Sequence, residues 1–320
     1  MTPSTISHQE TLIESSQKFN TPRLVDRIFF WITLALAVSV GLILLWITWS
    51  LLSIAFPAIA RFNLGFLFSQ VWNPVRDIYG ALPQIYGTIV SSIVALLFAI
   101  PLGVGVAIFL SENFLPRKIL TPIAFVIELL AAIPSVVYGM WGIFVFIPFI
   151  LPGLQAIHGT FGWLPFFSTQ PSTRQLFATA LVLAIMILPT IIAISRDALI
   201  SVPPQLRQGA YGLGATRWET ITRVLVPSAL SGIIGSIMLA LGRALGETMA
   251  AAMLIGNANQ VNASLFAPAS TISALIANQF GEASGLQRSA LFYEALILMI
   301  MTLLVNMLAE VIVSRFQQVE

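Results

Sequence analysis

Six long apolar stretches, separated by shorter polar ones, organise the chain. They run from Ile28 to about Phe56, from about Tyr86 to Leu110, from Pro122 to Ile150, from Leu176 to Ser195, from about Ser231 to Leu254, and from Leu291 to Val313. A helix needs about 20 consecutive apolar residues to cross a bilayer. Each stretch therefore predicts a spanning helix, and together they predict an all-α integral membrane protein with six transmembrane helices. Pro101, Pro134 and Pro189 fall inside these bodies. Each removes a backbone donor and predicts a kink.

Composition narrows the class. Hydrophobic residues make up 58% of the 320 and charged ones 9%, against about 25% charged in a soluble domain. A water-facing fold is excluded on that ground. Disorder is excluded by the hydrophobicity. The net charge of +2 is too small and too dispersed for a nucleic-acid surface. Cysteine is absent and the only histidines are His8 and His158, so disulfides, thiolate sites and a histidine metal cluster are excluded.

The loop charges set an orientation. With a cytoplasmic N-terminus, ten basic residues fall inside: Lys18, Arg23, Arg27, Arg117, Lys118, Arg196, Arg207, Arg217, Arg223 and Arg315. Four fall outside: Arg61, Arg76, Arg174 and Arg288. That bias predicts both ends in the cytoplasm. Residues 1–27 read as a polar cytoplasmic segment. Residues 28–320 read as the transmembrane domain, with a cytoplasmic loop at 196–227. The first apolar body exceeds the roughly 7–15 residues of a signal core, so it predicts an uncleaved span.

The loop between the fourth and fifth spans has internal order. Ser201 can cap a short helix that starts at Pro203-Pro204 and runs through Gln205 to Tyr211. Gly212 and Gly214 predict its end. Thr216-Arg217-Trp218-Glu219 fits a capping box that opens a second helix. Glu219 precedes Arg223 by one turn, the favourable order for an ion pair. Pro227 predicts a stop. Two short helices meeting at a glycine corner make a knob, which is either a solvated connector or a docking element for a partner.

The run Gln208-Gly209-Ala210-Tyr211-Gly212-Leu213-Gly214, followed by Leu225-Val226-Pro227, resembles the EAA loop of ABC importer permeases. Gly214 and Val226-Pro227 match that pattern, while Gln208-Gly209 stand where Glu-Ala is usual. Gly242-Arg243-Ala244-Leu245-Gly246-Glu247-Thr248-Met249-Ala250 resembles the fifth-span signature of phosphate permeases. The segments from Glu128 to Gly139 and from Ser270 to Asn278 resemble the PstC type, one of two permease types that phosphate importers pair; PstA is its sibling. The likeness extends over roughly residues 80–315.

That resemblance implies a type I ABC importer permease fold in a bacterial inner membrane. It implies a heterodimer with a PstA-like permease, two copies of an ATPase subunit, and a periplasmic phosphate-binding protein. ATP and Mg would sit on the ATPase subunits, with no cofactor on this chain. Gln208, Gly209, Ala210, Gly212, Leu213, Gly214 and Thr216 would fit a groove on the ATPase. The chain itself has no phosphate-cradling loop, because its only lysines, Lys18 and Lys118, do not follow glycine. Neither a Gly-x-Ser-x-Gly elbow nor a His-Glu-x-x-His site is present, which sets aside an intramembrane hydrolase. A stand-alone channel or secondary transporter is the other rival, and it would need no docking knob.

Three charges fall inside the apolar bodies. Arg243 sits near the middle of the fifth, at a cost of about 2.5–3.5 kcal/mol on insertion scales. Glu247 lies one helical turn on. Glu128 sits about 10 Å into the third span and Arg243 about 18 Å into the fifth, a difference that two long side chains can bridge. On the residues alone, the three either lock helices together as ion pairs or line an anion path, since the guanidinium fork suits phosphate. The resemblance favours the path. Glu294 and Glu310 are expected to reach the interface and carry no role. Gly242 and Gly246 form a small-xxx-small pair that lets another helix approach. The stretches Pro152–Gln170 and Gly256–Arg288 are expected as exposed outer loops, the latter with a helix capped near Ser270.

Overall fold

In the computed structural model, residues 22–112 and 114–317 are described. Most of the predicted polar segment 1–27 lies outside them. The described residues form helices joined by turns, with two isolated bridges, Asn73–Ile78 and Gly256–Ala269, and no strand. In chain order the helices are α1 (Pro22–Phe62), α2 (Leu82–Ser111), α3 (Arg117–Ala131), α4 (Ser135–Phe161), α5 (Leu176–Ser201), α6 (Pro204–Gly212), α7 (Arg217–Ser228), α8 (Leu230–Gly246), α9 (Met249–Leu254), α10 (Ile272–Gln279) and α11 (Gly285–Gln317). The backbone divides into two units. One is the part of α1 up to Ser53, a single apolar helix. The other runs from Ile54 onward and holds everything below.

Five of the helices are long and apolar enough to cross a membrane: α1, α2, α4, α5 and α11. α7 and α8, bent by 68° to each other, pass the same test only when taken together, which gives up to six crossing elements. Pro227 sits just before that bend.

Two predicted spans are corrected. The third does not run unbroken from Pro122 to Ile150. The helix stops at Ala131 and restarts at Ser135, with Pro134 extended at φ −60°, ψ 141°. Proline has no N–H to continue a helix, and it pushes the preceding residue out of helical geometry. The Tyr138 hydroxyl donates to the Leu130 carbonyl at 2.9 Å and pins the joint. The piece before the break, α3, is a separate amphipathic helix. The span α4 extends to Phe161, so residues 152–161 are helix and not outer loop.

The fifth span is likewise broken. α8 ends at Gly246, Glu247 is extended at φ −63°, ψ 125°, and α9 starts at Met249.

The core is built on α2. Its buried face carries Gly87, Ser91, Ala95, Ala99, Gly103 and Ala107, a small residue at every fourth position. Lipid tails are as apolar as leucine, so helices in a bilayer associate through close packing, which small residues permit. A Cβ built on Gly103 would lie 2.7 Å from Cγ2 of Ile191 on α5. A Cβ on Gly87 would collide with the carbonyl oxygen of Ser270. Around this face, Val182, Leu183, Met186 and Ile187 of α5 and Ala240 and Ala244 of α8 complete the central cluster. The Oγ atoms of Ser195 and Ser236, both buried, share a hydrogen bond of 2.8 Å that ties α5 to α8.

The stretch from Gly256 to α11 is not the exposed loop expected. It folds onto the starts of α2 and α5 through backbone bonds. Phe177 N–H donates to Leu265 O at 2.8 Å, and Ile272 N–H donates to Thr88 Oγ1 at 3.0 Å. Phe266 and Ile272 are fully buried. The helix expected to be capped near Ser270 is α10, and Thr271, the next residue, caps it by accepting the Ala274 N–H. Trp163, in the other outer stretch, stays 78% exposed. In the turn after α1, the buried Tyr79 hydroxyl donates to Asp77 Oδ1 at 3.2 Å. Burial first and that bond second push its pKa to about 12.

Gly87→Ala is expected to destabilise the bundle by about 1–3 kcal/mol, since its Cβ meets backbone that cannot yield. Gly105→Ala, whose Cβ meets open space, should shift the melting midpoint far less. Thermal unfolding of the two variants in detergent checks the contrast.

Candidate functional site

The knob forms as a helix–corner–helix. α6 starts at Pro204 with Pro203 before it, and no side chain caps it. Ser201 belongs to α5 and donates to the Ala198 carbonyl, so the predicted Ser201 cap is not made. The corner is a C-terminal glycine motif. Ala215 N–H reaches the Ala210 carbonyl, Gly214 N–H reaches Tyr211, and Gly214 takes φ +85°. Only glycine adopts that left-handed angle without a steric cost.

The capping box follows as predicted. Glu219 N–H donates to Thr216 Oγ1 at 3.3 Å, and Thr216 N–H donates to Glu219 Oε2 at 3.0 Å. These bonds, the Thr216 backbone first, hold the Glu219 carboxyl below its usual range. The expected Glu219–Arg223 ion pair does not form, because the carboxylate is turned to Thr216.

The knob presents large apolar side chains outward: Leu206, Tyr211, Leu213 and Trp218 are exposed. A shallow groove lined by Ala210, Leu213, Gly214, Glu219 and Arg223 runs beside them. Clustered exposed apolar groups outside the lipid zone mark an interaction surface. The knob is also bolted to the bundle. Arg207 Nη2 donates to Glu112 Oε1 at 2.8 Å, and Glu112 is 4% exposed. The Arg217 guanidinium stacks 4.8 Å over the Phe114 ring. Both tie the knob to the end of α2. These struts were missed in the sequence, since nothing in it pairs Glu112 with Arg207.

Arg243 is half-buried in the last turn of α8, beside the helix break. Its Nη1 donates to Thr190 Oγ1 at 3.3 Å. Glu247 no longer shares a helical face with it. Past the break, Glu247 Oε1 accepts the Ala250 N–H at 3.1 Å and caps α9. Glu128 is on α3, not inside a span, and lines a cavity with Arg196 and Arg207. Among the described residues none of Arg243, Glu247 and Glu128 makes an ion pair with another. The bridge between Glu128 and Arg243 that the depths allowed is not made, because the depth argument assumed an unbroken third span.

Glu294 also departs from expectation. It is fully buried, and both carboxylate oxygens lack a hydrogen-bond partner among the described residues. It lies on the buried stripe of α11 with Ala290, Leu291 and Ile297. These neighbours stand four and three residues before Glu294 and three after it, the spacing of one helical face, and that was its only sequence signal. Glu310 is exposed. A Cβ at Gly242 or Gly246 meets nothing within 4 Å among the described residues, so no described helix packs closely there.

With this geometry in place, comparison with known proteins places the chain. The model of the binding-protein-dependent transport system inner membrane component family matches residues 99–318, and the chain belongs to that family. It is 43% identical over 312 residues to the Haemophilus influenzae protein named phosphate transport system permease protein PstC, covering 96% of this chain and 99% of that one. The Mesorhizobium japonicum protein of the same name is 46% identical over 298 residues, covering 91% of each. A Methanocaldococcus jannaschii protein, named as a probable PstC, is 35% identical over 82% of this chain and 86% of its own.

Solved structures share the fold. A bacterial alginate ABC transporter chain superposes with TM-score 0.59 at 19% identity, covering 89% of this chain and 94% of that one. A chain of the MetNI methionine ABC transporter in an inward-facing conformation gives TM-score 0.57 at 18% identity, covering 77% and 99%. The architecture is thus the all-helical ABC permease fold in a multi-pass membrane protein.

Gly214→Ala is expected to destabilise the knob by about 1–2 kcal/mol through the left-handed φ alone, because the space around it is open. Thr216→Val should cost about 1 kcal/mol through the lost cap. Hydrogen exchange across residues 204–220 should quicken in both variants and stay unchanged in α5. Acid should act in the same direction. The depressed Glu219 carboxyl supports the box above its unfolded pKa, and that support is lost as pH falls through the folded one.

Proposed function

We propose that the chain is a PstC-type permease, forming half of the translocation path of an ATP-driven phosphate importer. The substrate class rests on identity of 43% and 46%, nearly end to end, to proteins named for phosphate transport. One observation in the molecule carries the path itself: an arginine inside the membrane, beside a helix break, with no carboxylate paired to it. A broken helix is tolerated at membrane depth only inside protein or beside a water-filled cavity. Transporters place such breaks at their substrate sites.

In this reading the Arg243 fork donates two hydrogen bonds to the passing anion, and Thr190 holds the guanidinium in place. Glu247, one step past the break, accepts a hydroxyl hydrogen of mono- or dihydrogen phosphate, which sulfate does not offer. The same carboxylate keeps binding weak enough for release, as conduction requires. The open Gly242 and Gly246 face of α8 receives a PstA-like second permease.

In this reading the chain lies in a bacterial inner membrane with the knob and both termini in the cytoplasm, an orientation that the excess of basic residues supports. Two ATPase subunits, carrying ATP and Mg, grip Gln208, Gly209, Ala210, Gly212, Leu213, Gly214 and Thr216. This chain holds no cofactor and catalyses no hydrolysis. A periplasmic phosphate-binding protein delivers to the opposite face. ATP binding draws the two knobs together and opens the path outward, and hydrolysis resets it.

Arg243→Ala is expected to abolish phosphate uptake in proteoliposomes, a loss of about a hundredfold or more, while the ATPase subunits still co-purify. Normal uptake in that variant refutes the path. In the wild-type complex, phosphate-loaded binding protein should stimulate ATP hydrolysis, and sulfate-loaded or empty protein should not. Equal stimulation by all three would refute the substrate.

A further inference from the structure

At the knob end of the bundle, a cavity of about 540 Å³ lies between α3 and the ends of α2 and α5. Neither Arg243 nor Glu247 lines it. The polar groups on its wall include Arg196 from α5, Arg207 from α6, and Thr121 and Glu128 from α3. α3 lines the cavity with Thr121, Ala124, Phe125 and Glu128, all but Ala124 also exposed, and leaves Ile119, Val126 and Leu129 exposed away from it. It therefore has the pattern of a helix lying at a membrane surface, apolar side outward.

The two arginines are incompletely satisfied. Nε of Arg196 and Nε of Arg207 are enclosed and have no hydrogen-bond partner among the described residues. Arg207 spends one Nη2 hydrogen on Glu112, and Arg196 makes no hydrogen bond or ion pair among the described residues. Asp197, next in the chain, is exposed and not on the wall. An enclosed donor without a partner is costly, and a ligand that completes it removes the cost.

We propose that this cavity binds a phosphate group that carries a hydroxyl. Arg196 and Arg207 donate to its oxygens, and Glu128 accepts the hydroxyl hydrogen. Inorganic phosphate and phosphomonoesters offer both features. Sulfate and a phosphodiester lipid headgroup offer only the oxygens and meet the Glu128 carboxylate with like charge. At about 30 Å³ per water, the cavity holds such an anion together with several waters. Because Arg207 belongs to α6, a bound anion joins α3 and α5 to the knob. The site is separate from the path through Arg243, and the proposed function serves only to choose inorganic phosphate as the first probe.

The test uses the whole complex with its ATPase subunits, in phosphatidylcholine nanodiscs, with Arg243→Ala present to silence the path. Labelled inorganic phosphate should bind saturably. Adding Arg196→Ala should weaken binding about tenfold or more. Ala124→Phe, which fills the cavity and keeps both guanidinium groups, should do the same. Glu128→Gln should let sulfate compete. Binding unchanged by both Arg196→Ala and Ala124→Phe overturns the site.

Nanodiscs containing phosphatidic acid separate the sources. Displacement of the label by phosphatidic acid assigns the ligand to a monoester headgroup, and no displacement assigns it to free phosphate. Equal displacement by phosphatidylglycerol overturns the role of the hydroxyl. Wild-type uptake is measured alongside. No uptake with Arg196-dependent binding sinks the proposed function alone, and uptake with Arg196-independent binding sinks the cavity alone.

Discussion

Close approach of helices along the small-residue ladder of α2 is the constraint on which the rest of the bundle depends. Water gives a soluble core its driving force, but lipid gives this one none, so contact distance decides. A four-residue step turns about 400° on an α-helix, about 40° past a full turn. The ladder therefore winds around α2 as it climbs. Gly87 at one end meets the Ser270 backbone, and Gly103 near the other meets Ile191 of α5. One helix thereby positions both the 256–284 segment and the central helices that hold Arg243.

Against that tight frame, the two breaks stand out. Pro134 frees α3 from the span that follows, and the extended Glu247 divides α8 from α9. Both lie next to charged groups. Glu128 belongs to the helix before the first break, and Arg243 and Glu247 flank the second. In a bilayer, irregular backbone must find partners in the protein or in water. Tyr138 at one break and Glu247 itself at the other supply part of that need.

Much of this was legible in the sequence because its cause is local. The apolar stretches announced the spans, since length and hydropathy suffice for that. Gly214 and the Thr216–Glu219 box were legible because a left-handed turn and a cap are written in neighbouring residues. α3 was not, because an amphipathic helix abutting a span reads as one apolar run, and Pro134 admits either a kink or a stop. Glu294 was missed because hydropathy carries no direction around a helix. The Arg207–Glu112 strut and the packing of the 256–284 segment were missed because they join residues far apart in the chain. Of the proposed path, the sequence supplied Arg243 and Glu247 but not the break between them, which changes what each can touch.

The Arg207–Glu112 strut also has a mechanical meaning. It fastens the knob to the last turn of α2, and α2 is about 45 Å long at 1.5 Å per residue. Its far end carries Gly87 and Thr88 against the Ser270–Ile272 backbone. α2 is thus a connecting rod with the knob at one end and the 256–284 segment at the other. Pro101 is its one pliant point, since a proline there leaves a backbone carbonyl unpaired. The knob and the 256–284 segment are thus joined by a single helix, with no relay of loops between.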